Sequence, residues 1–309
     1  MIRSKFNIPS DGKGTFSSPE KLPTTVEDAK NWQEANRSFW EKNSMRYDWN
    51  ERIQFDEFSD GFYKEINKRF FGAIWQVMPW KEAPFEQWLD FKALKDKGVL
   101  EIGIGNGTHA QLIAPRTKSY TGIDLTEYAV SSTRKRLDLF GIAGTIIQMD
   151  AEKLEFTSES FDFVWSWGVI HHSSNTDRIL SEIHRVLKPR GKSVLMVYYR
   201  SWFSYYLGAM LRGVVKGQFL KGKTIHQIMQ TQTDGALARY YTLNSWAKLV
   251  RNRFEIRRME ILGNKPDILP IPAGRFKNLL LEAIPTWLAR LCLKNLKMGS
   301  FLICELEKK

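Results

Sequence analysis

The sequence predicts an α/β protein: a doubly wound sheet of seven strands, with a helical cap ahead of it and insertions toward its end. Three observations carry this. Five short apolar runs between residues 98 and 198 alternate with amphipathic stretches, the texture of βαβ units. The first of those runs ends in a glycine-rich turn that leads toward a helical pattern. Two more β-like segments follow beyond residue 250 and complete the count.

In order along the chain, residues 1–27, including SDGKGTFSSPEKLPTT, are rich in Ser, Thr, Pro and Gly and read as a mobile tail. Residues 28–97 are helical and aromatic in pattern and hold six of the eleven Trp, which predicts a helical cap. The main domain then runs over 98–309. Its strands are GVLEI (98–102), SYTGI (119–123), TIIQM (145–149), FDFVW (161–165) and SVLMVY (193–198), followed by FEIRRMEI (254–261) and SFLICEL (300–306). Helices are predicted over 127–140, with Ala129, Val130, Leu137 and Phe140 on one side, and over 176–187, with Ile179, Leu180, Ile183, Val186 and Leu187 at helical spacing. Residues 199–250 and 262–298 are insertions at the sheet's edge.

A chain of 309 residues with 43% hydrophobic and 26% charged residues buries a real core, which excludes a disordered or fibrous protein. No apolar run approaches the roughly 20 residues that span a bilayer, and MIRSKFNIPS is followed by no apolar stretch of a secretory signal, so a cytoplasmic location is expected. Cys292 and Cys304 form neither a disulfide framework nor a metal-ligand spacing with any His, so no metal is expected. The net charge of +12 is uneven: residues 1–97 and 98–198 are balanced, and residues 199–309 hold 19 Lys and Arg against 7 Asp and Glu. Such a local excess gathers anionic partners.

The strongest chemical signal is GVLEIGIGNG (98–107), a buried strand running into Gly103-x-Gly105-x-Gly107. Glycines at such a turn let backbone N–H groups approach a ligand, and an acidic residue about 20 positions on accepts hydrogen bonds from ribose hydroxyls. Asp124, ending the second strand, fits that role. Position 108 is Thr where a dinucleotide fingerprint has its third glycine, and Glu101 would repel a pyrophosphate but suit a cation. A ligand with ribose, adenine and a positively charged amino-acid end meets these conditions, and S-adenosyl-L-methionine is such a ligand.

At these residues the sequence resembles the class I S-adenosylmethionine-dependent methyltransferases, in particular the methyltransferase type 11 group that includes quinone-ring methyltransferases. The resemblance covers about residues 98–198 and implies a Rossmann-like fold. It implies that Glu101, Gly103, Gly105, Asn106 and Gly107 form the methionine-end loop, and that Asp124, with Leu125 beside it, holds the ribose. QMDAEKLEF (148–156) resembles the next motif, whose Asp150 and Ala151 would meet the adenine, and Trp167 would flank it. FDFVWSWGVIHH (161–172) and EIHRVLKPRGK (182–192) resemble the motifs at the fourth strand and before the fifth. Arg190 departs from the pattern, standing where the family usually has Gly.

Methyl transfer is an in-line displacement whose acceleration comes mostly from holding the nucleophile in line. A hydroxyl or carbon acid must also shed a proton, and His is the natural base near neutral pH. His171 and His172 follow the fourth strand at its carboxyl end, so one of the pair is expected to be catalytic. Substrate contacts are expected from Tyr47 and Trp49 in MRYDWN (45–50), folded back over the cofactor, and from Tyr240 in TDGALARYYT (233–242), which also carries Asp234 and Tyr241.

Over 199–220, Tyr199, Trp202, Phe203, Tyr206, Leu207, Met210, Leu211 and Val214 share one helical face, with Arg200, Ser204, Gly208, Arg212 and Lys216 opposite. Residues 275–298 add a second apolar and basic stretch. Such helices lie in membrane interfaces, which here would mean the inner face of a membrane; the competing reading packs the apolar face on the core. The leading function is therefore methyl transfer to a small-molecule or lipid-like acceptor at an O or C nucleophile. The alternatives are an RNA methyltransferase and a non-catalytic S-adenosylmethionine-binding scaffold. Nucleic acid is the weaker partner: no NPPY-like tetrapeptide follows the fourth strand, no cysteine is placed for attack on a pyrimidine, and no RNA-binding module is appended.

Overall fold

The structure is a computed structural model that describes residues 25–48, 51–231, 233–271 and 274–309. Most of the segment read as a tail, and Trp49, lie outside the described residues. Val26 and Glu27, grouped with the tail on sequence, belong to the first helix, α1 (Val26–Lys42), whose N-terminus is capped by the Thr25 hydroxyl. Ser59 caps α2 (Asp60–Val77) in the same way, and α3 (Phe91–Leu94) is a single turn.

The sheet begins with β1 (Gly98–Ile102), α4 (Thr108–Ile113), β2 (Ser119–Asp124), α5 (Glu127–Leu139), β3 (Thr145–Gln148) and β4 (Phe161–Trp167). It continues through α6 (Thr176–Val186) and β5 (Leu187–Tyr199). A π-helical segment, Trp202–Leu207, runs into α7 (Gly208–Val215), followed by α8 (Ile225–Gln230), β6 (Tyr240–Tyr241) and α9 (Leu243–Val250). The chain ends with β7 (Phe254–Leu262), α10 (Arg275–Ala283), α11 (Thr286–Lys294) and β8 (Phe301–Lys308).

The strand order is β3-β2-β1-β4-β5-β8-β7, parallel except that β8 runs antiparallel to both neighbours. The seven strands expected from the sequence are all present, and a two-residue strand, β6, adds an eighth by pairing with the end of β5. β5 starts earlier than its apolar run because Leu187 already pairs with Phe161 of β4, after which residues 188–191 bulge out before pairing resumes at Lys192. Arg190 sits in that bulge at φ 60°, the left-handed region that glycine occupies without strain. Its side chain is solvent-exposed and reaches Glu307 at 3.6 Å.

Alternation along each strand builds two cores. Val99, Trp165, Val194 and Met196 face α2, α4 and α5, while Leu100, Val164 and Leu195 face α6 and α9. Both sheet faces are covered, so the strands read as near-continuous apolar runs. On α6, Ile179, Leu180, Ile183 and Val186 are buried, each contributing about 1.5–3 kcal/mol of transfer free energy.

α7 packs against the grain of its sequence. The residues it buries are Gly208, Ala209 and Gly213, and the ones it exposes are Met210, Leu211, Val214 and Val215. Close approach to α8 explains this: a Cβ at Gly213 would stand 2.3 Å from the Phe219 ring and 2.8 Å from Ile228. The preceding π-helical segment adds a residue to the turn and so resets which face leads inward.

Candidate functional site

A cavity of about 390 Å³ lies at the carboxyl ends of the central parallel strands, where open α/β sheets place their ligands. Its floor starts with the loop after β1. Gly103, Gly105 and Gly107 take φ of 81°, 54° and 74°, conformations that other residues adopt only at a cost. A Cβ at Gly103 would lie 2.1 Å from Val169, whereas one at Gly105 would meet nothing within 4 Å. The loop is therefore tight on its inner side and open at Gly105, which lines the cavity.

The loop is fixed to its surroundings by polar contacts. Asp124 accepts the Gly105 amide at 3.2 Å and both the amide and hydroxyl of Thr126, at 3.0 and 2.8 Å. Burial lifts the Asp124 carboxyl above its ordinary range, against the opposing pull of these bonds. Asn106 donates to the Met45 carbonyl at 2.8 Å and accepts the Ser132 hydroxyl at 2.7 Å. Beneath it, the buried Arg136 donates to the Asn106 carbonyl, Thr108 and Gln111, joining the loop to α4 and α5.

α1 forms a roof. Gln33 donates to both oxygens of Asp150 at 3.0 Å and accepts the Ser174 amide, and Asn36 donates to the carbonyl of His172. The Trp40 ring meets the His172 ring edge-on, centroids 5.1 Å apart. These α1 residues carry no sequence motif; only their proximity in the fold marks them.

The two histidines separate clearly. His172 lines the cavity, and its Nδ1 stands 2.6 Å from the Leu237 carbonyl, which can only accept, so Nδ1 carries the proton and Nε2 the lone pair. Burial holds its pKa down to about 4, so the ring is neutral at pH 7. His171 is fully buried behind it, its ring tilted against that of Tyr198 with centroids 3.9 Å apart, and neither ring nitrogen is hydrogen-bonded among the described residues. It does not reach the cavity wall.

Other expected site residues divide in the same way. Gly103, Gly105, Asn106, Asp124, Leu125, Asp150, Ala151, Trp167 and Tyr47 all line the cavity. Glu101 does not: alternation on β1 sends it under the loop, where the Tyr120 hydroxyl donates to it at 2.5 Å and His109 Nδ1 lies at 3.5 Å. Gly107 turns away from the cavity toward Thr133 and Arg136. Trp167 stacks on Trp165, packs against Phe85 and lines the cavity from the end of β4. Tyr240 sits one layer back, its ring against Tyr198 and its hydroxyl on Thr233. Tyr198 itself, the penultimate residue of β5, takes the wall position, together with Asp234. Burial, reinforced by Asp234, pushes the Tyr47 and Tyr198 phenols upward, so both remain protonated donors.

A family model for a methyltransferase domain matches residues 100–195. Over 100 residues the chain is 37% identical to a phthiotriol/phenolphthiotriol dimycocerosates methyltransferase of Mycobacterium leprae, the match taking in 32% of this chain and 36% of that protein. It is 35% identical, over the same shares, to a fatty-acid O-methyltransferase of Mycolicibacterium smegmatis. The chain thus aligns with little more than a third of the length of these relatives. Among solved structures, a chain from the complex of the Haloferax volcanii Trm112 methyltransferase activator and a putative methyltransferase superposes with a TM-score of 0.50 at 18% identity. That superposition covers 83% of this chain and 98% of the other, and the likeness is one of fold. The matched stretch runs from β1 into β5 and contains the glycine loop, so it is over residues 100–195 that the chain is similar to the methyltransferase domain.

Proposed function

We propose that this chain transfers the methyl group of S-adenosyl-L-methionine to an oxygen or carbon nucleophile of a lipid-like acceptor, an ionisable hydroxyl fitting best. One observation carries the reading: a single cavity joins the glycine loop, Asp124 and Asp150 to an apolar chamber of Phe70, Ile74, Met196 and Phe301 that also holds His172 and Tyr198. The residues suit the donor. The open backbone at Gly105 would receive its amino-acid end, Asp124 its ribose, and Asp150 its adenine. Bound there, the donor supplies an electrophilic methyl on a sulfonium.

The chain's own groups then have three tasks. The apolar chamber desolvates and aligns the acceptor, which supplies most of the acceleration. Tyr47 and Tyr198, as donors, orient its polar end. His172, tethered through Nδ1, presents Nε2 to take the acceptor's proton, a contribution of about 10²–10⁴-fold. The names of the two relatives, a fatty-acid O-methyltransferase among them, support an acceptor of this class.

The test is incubation with methyl-labelled S-adenosylmethionine and a cell extract, followed by partition into organic and aqueous phases. Label in the organic phase, lost in Asp124→Ala and sharply reduced in His172→Gln, is the expected result. Label confined to the aqueous phase refutes the lipid-like acceptor, and its loss on nuclease treatment would assign RNA. No transfer to any fraction refutes the enzymatic reading.

A further inference from the structure

The two insertions leave the sheet at the same edge. β5 ends at Tyr199, β7 ends at Leu262 and β8 begins at Phe301, and Phe301 pairs with both Tyr198 and Leu262. This is the carboxyl edge, where the cavity lies and where Tyr198, Asn264 and Phe301 form part of its wall. The Trp202 indole donates to the Leu296 carbonyl at 3.0 Å, and Arg290 of α11 donates to the Gln76 carbonyl at the end of α2. The insertions and α2 therefore present one continuous surface beside the cavity.

That surface is apolar where it meets solvent. Leu220 is 94% exposed, Val215 81% and Trp287 65%, with Trp202, Phe276 and Leu279 also exposed. The side chains buried under these helices, Ala209, Leu281, Ala289 and Leu293, belong to small local clusters, so the outward residues are surplus to the packing of the fold. Large apolar side chains exposed in this number on two segments that meet at one edge of the sheet mark an interaction surface. Residues 199–240 hold six basic residues against one acidic, and residues 263–300 six against two, so these segments carry most of the net charge of +12. Lys216, Lys221, Arg275 and Lys297 are exposed among the apolar side chains.

We infer that this face, formed by 202–221 and α10–α11, docks on an anionic lipid bilayer. Exposed Trp, Leu and Val side chains enter the headgroup and acyl boundary while Lys and Arg meet lipid phosphates, the combination that holds an interfacial helix. A second protein with an acidic rim would satisfy the charge, but Leu220 and Val215 stand almost wholly clear of the fold next to the exposed Lys221 and Lys216, which suits a fluid boundary that needs no matching pocket. Among the described residues no helix is long and apolar enough to cross a membrane, so the contact is with the surface. Its position beside the cavity lets a lipid-like acceptor pass from bilayer to site without crossing water. The inference goes beyond the proposed methyl transfer and does not require it, because vesicle binding is read without a methyl donor.

The experiment is sedimentation of the full chain with vesicles of phosphatidylcholine alone and of phosphatidylcholine with phosphatidylglycerol, at low and high salt. Leu220→Glu/Trp287→Glu is the test variant, and Leu139→Glu, an exposed leucine on α5, is the control. The expected result is binding to the anionic vesicles that weakens about tenfold or more in the double variant, weakens with salt and is unchanged in the control. Unaltered unfolding temperature and S-adenosylmethionine affinity in the double variant exclude misfolding as the cause. Absence of binding, equal binding to neutral vesicles, or binding insensitive to the double variant overturns the inference. A dimer in solution that the double variant splits into monomers also overturns it, by giving the face to a second copy.

Discussion

Replacing Gly103 and Gly105 separately by Ala separates the tight side of the loop from its open side. Both residues have positive φ, so each alanine costs about 1–2 kcal/mol of backbone strain. At Gly103 the new methyl also meets Val169 Cγ2 at 2.1 Å, Cγ1 at 2.6 Å and Cβ at 2.8 Å. Valine is stiff at χ1 and cannot swing away, so overpacking adds about 1–3 kcal/mol. Gly103→Ala is thus expected to lose about 2–5 kcal/mol and Gly105→Ala about 1–2 kcal/mol. Urea unfolding reads this difference. Titration calorimetry with S-adenosylmethionine reads the other: at Gly105 the methyl projects into the cavity, so affinity falls by about tenfold or more although the protein stays folded. Val169→Ala removes the two closest contacts and leaves the third, so it recovers part of the Gly103→Ala loss, a coupling of about 1–3 kcal/mol in a double-mutant cycle. Equal stabilities for the two alanine variants, or undiminished affinity in Gly105→Ala, would refute the reasoning.

Two further outcomes follow from buried charge. His172 has a pKa of about 4 in the folded chain against an ordinary 6.5, so between these values the unfolded chain binds more protons; stability is complete above pH 6.5 and falls by about 3 kcal/mol as pH drops toward 4. His171 is shifted in the same direction. Urea unfolding at several pH values, compared with His172→Gln, isolates this loss, and a wild-type-minus-variant difference that is flat across this window would contradict the burial argument. Arg136→Met strands the carbonyls of Asn106 and Asn67 without their donor and leaves Gln111 only the Asn67 amide, at a cost of about 3 kcal/mol, and loosens the glycine loop. Thermal unfolding and donor affinity should both decline; a stable variant with full affinity would show that the network is dispensable.

The strands and the glycine loop were legible because buried parallel strands leave unbroken apolar runs and because a positive-φ turn demands glycine. Asp124 was legible by its distance from that loop. Glu101 was misplaced for the opposite reason: its alternation on β1, visible in the sequence, sends it beneath the loop, and only the fold shows that the cavity lies elsewhere. Nothing in Gln33, Asn36 or Trp40 announces a roof, since α1 reads as an ordinary amphipathic helix until it meets Asp150 and His172. The orientation of α7 was equally hidden. Its wheel gives two faces, but Gly213 against Phe219 and Ile228 decides which one turns inward, and that contact is a fact of tertiary structure.

The insertion of β8 between β5 and β7 sets the order in which the molecule can be assembled. β7 has no partner in the sheet until β8, whose first residue lies 39 positions beyond the end of β7, has been synthesised and threaded between the two. Until then β5 shows an open edge carrying Val194, Leu195, Met196 and Val197, a ready template for strands of neighbouring chains. Late, non-local pairing of this kind is slow. Soluble yield during expression or refolding is therefore governed by how long that edge stays bare, and falls as chain concentration rises.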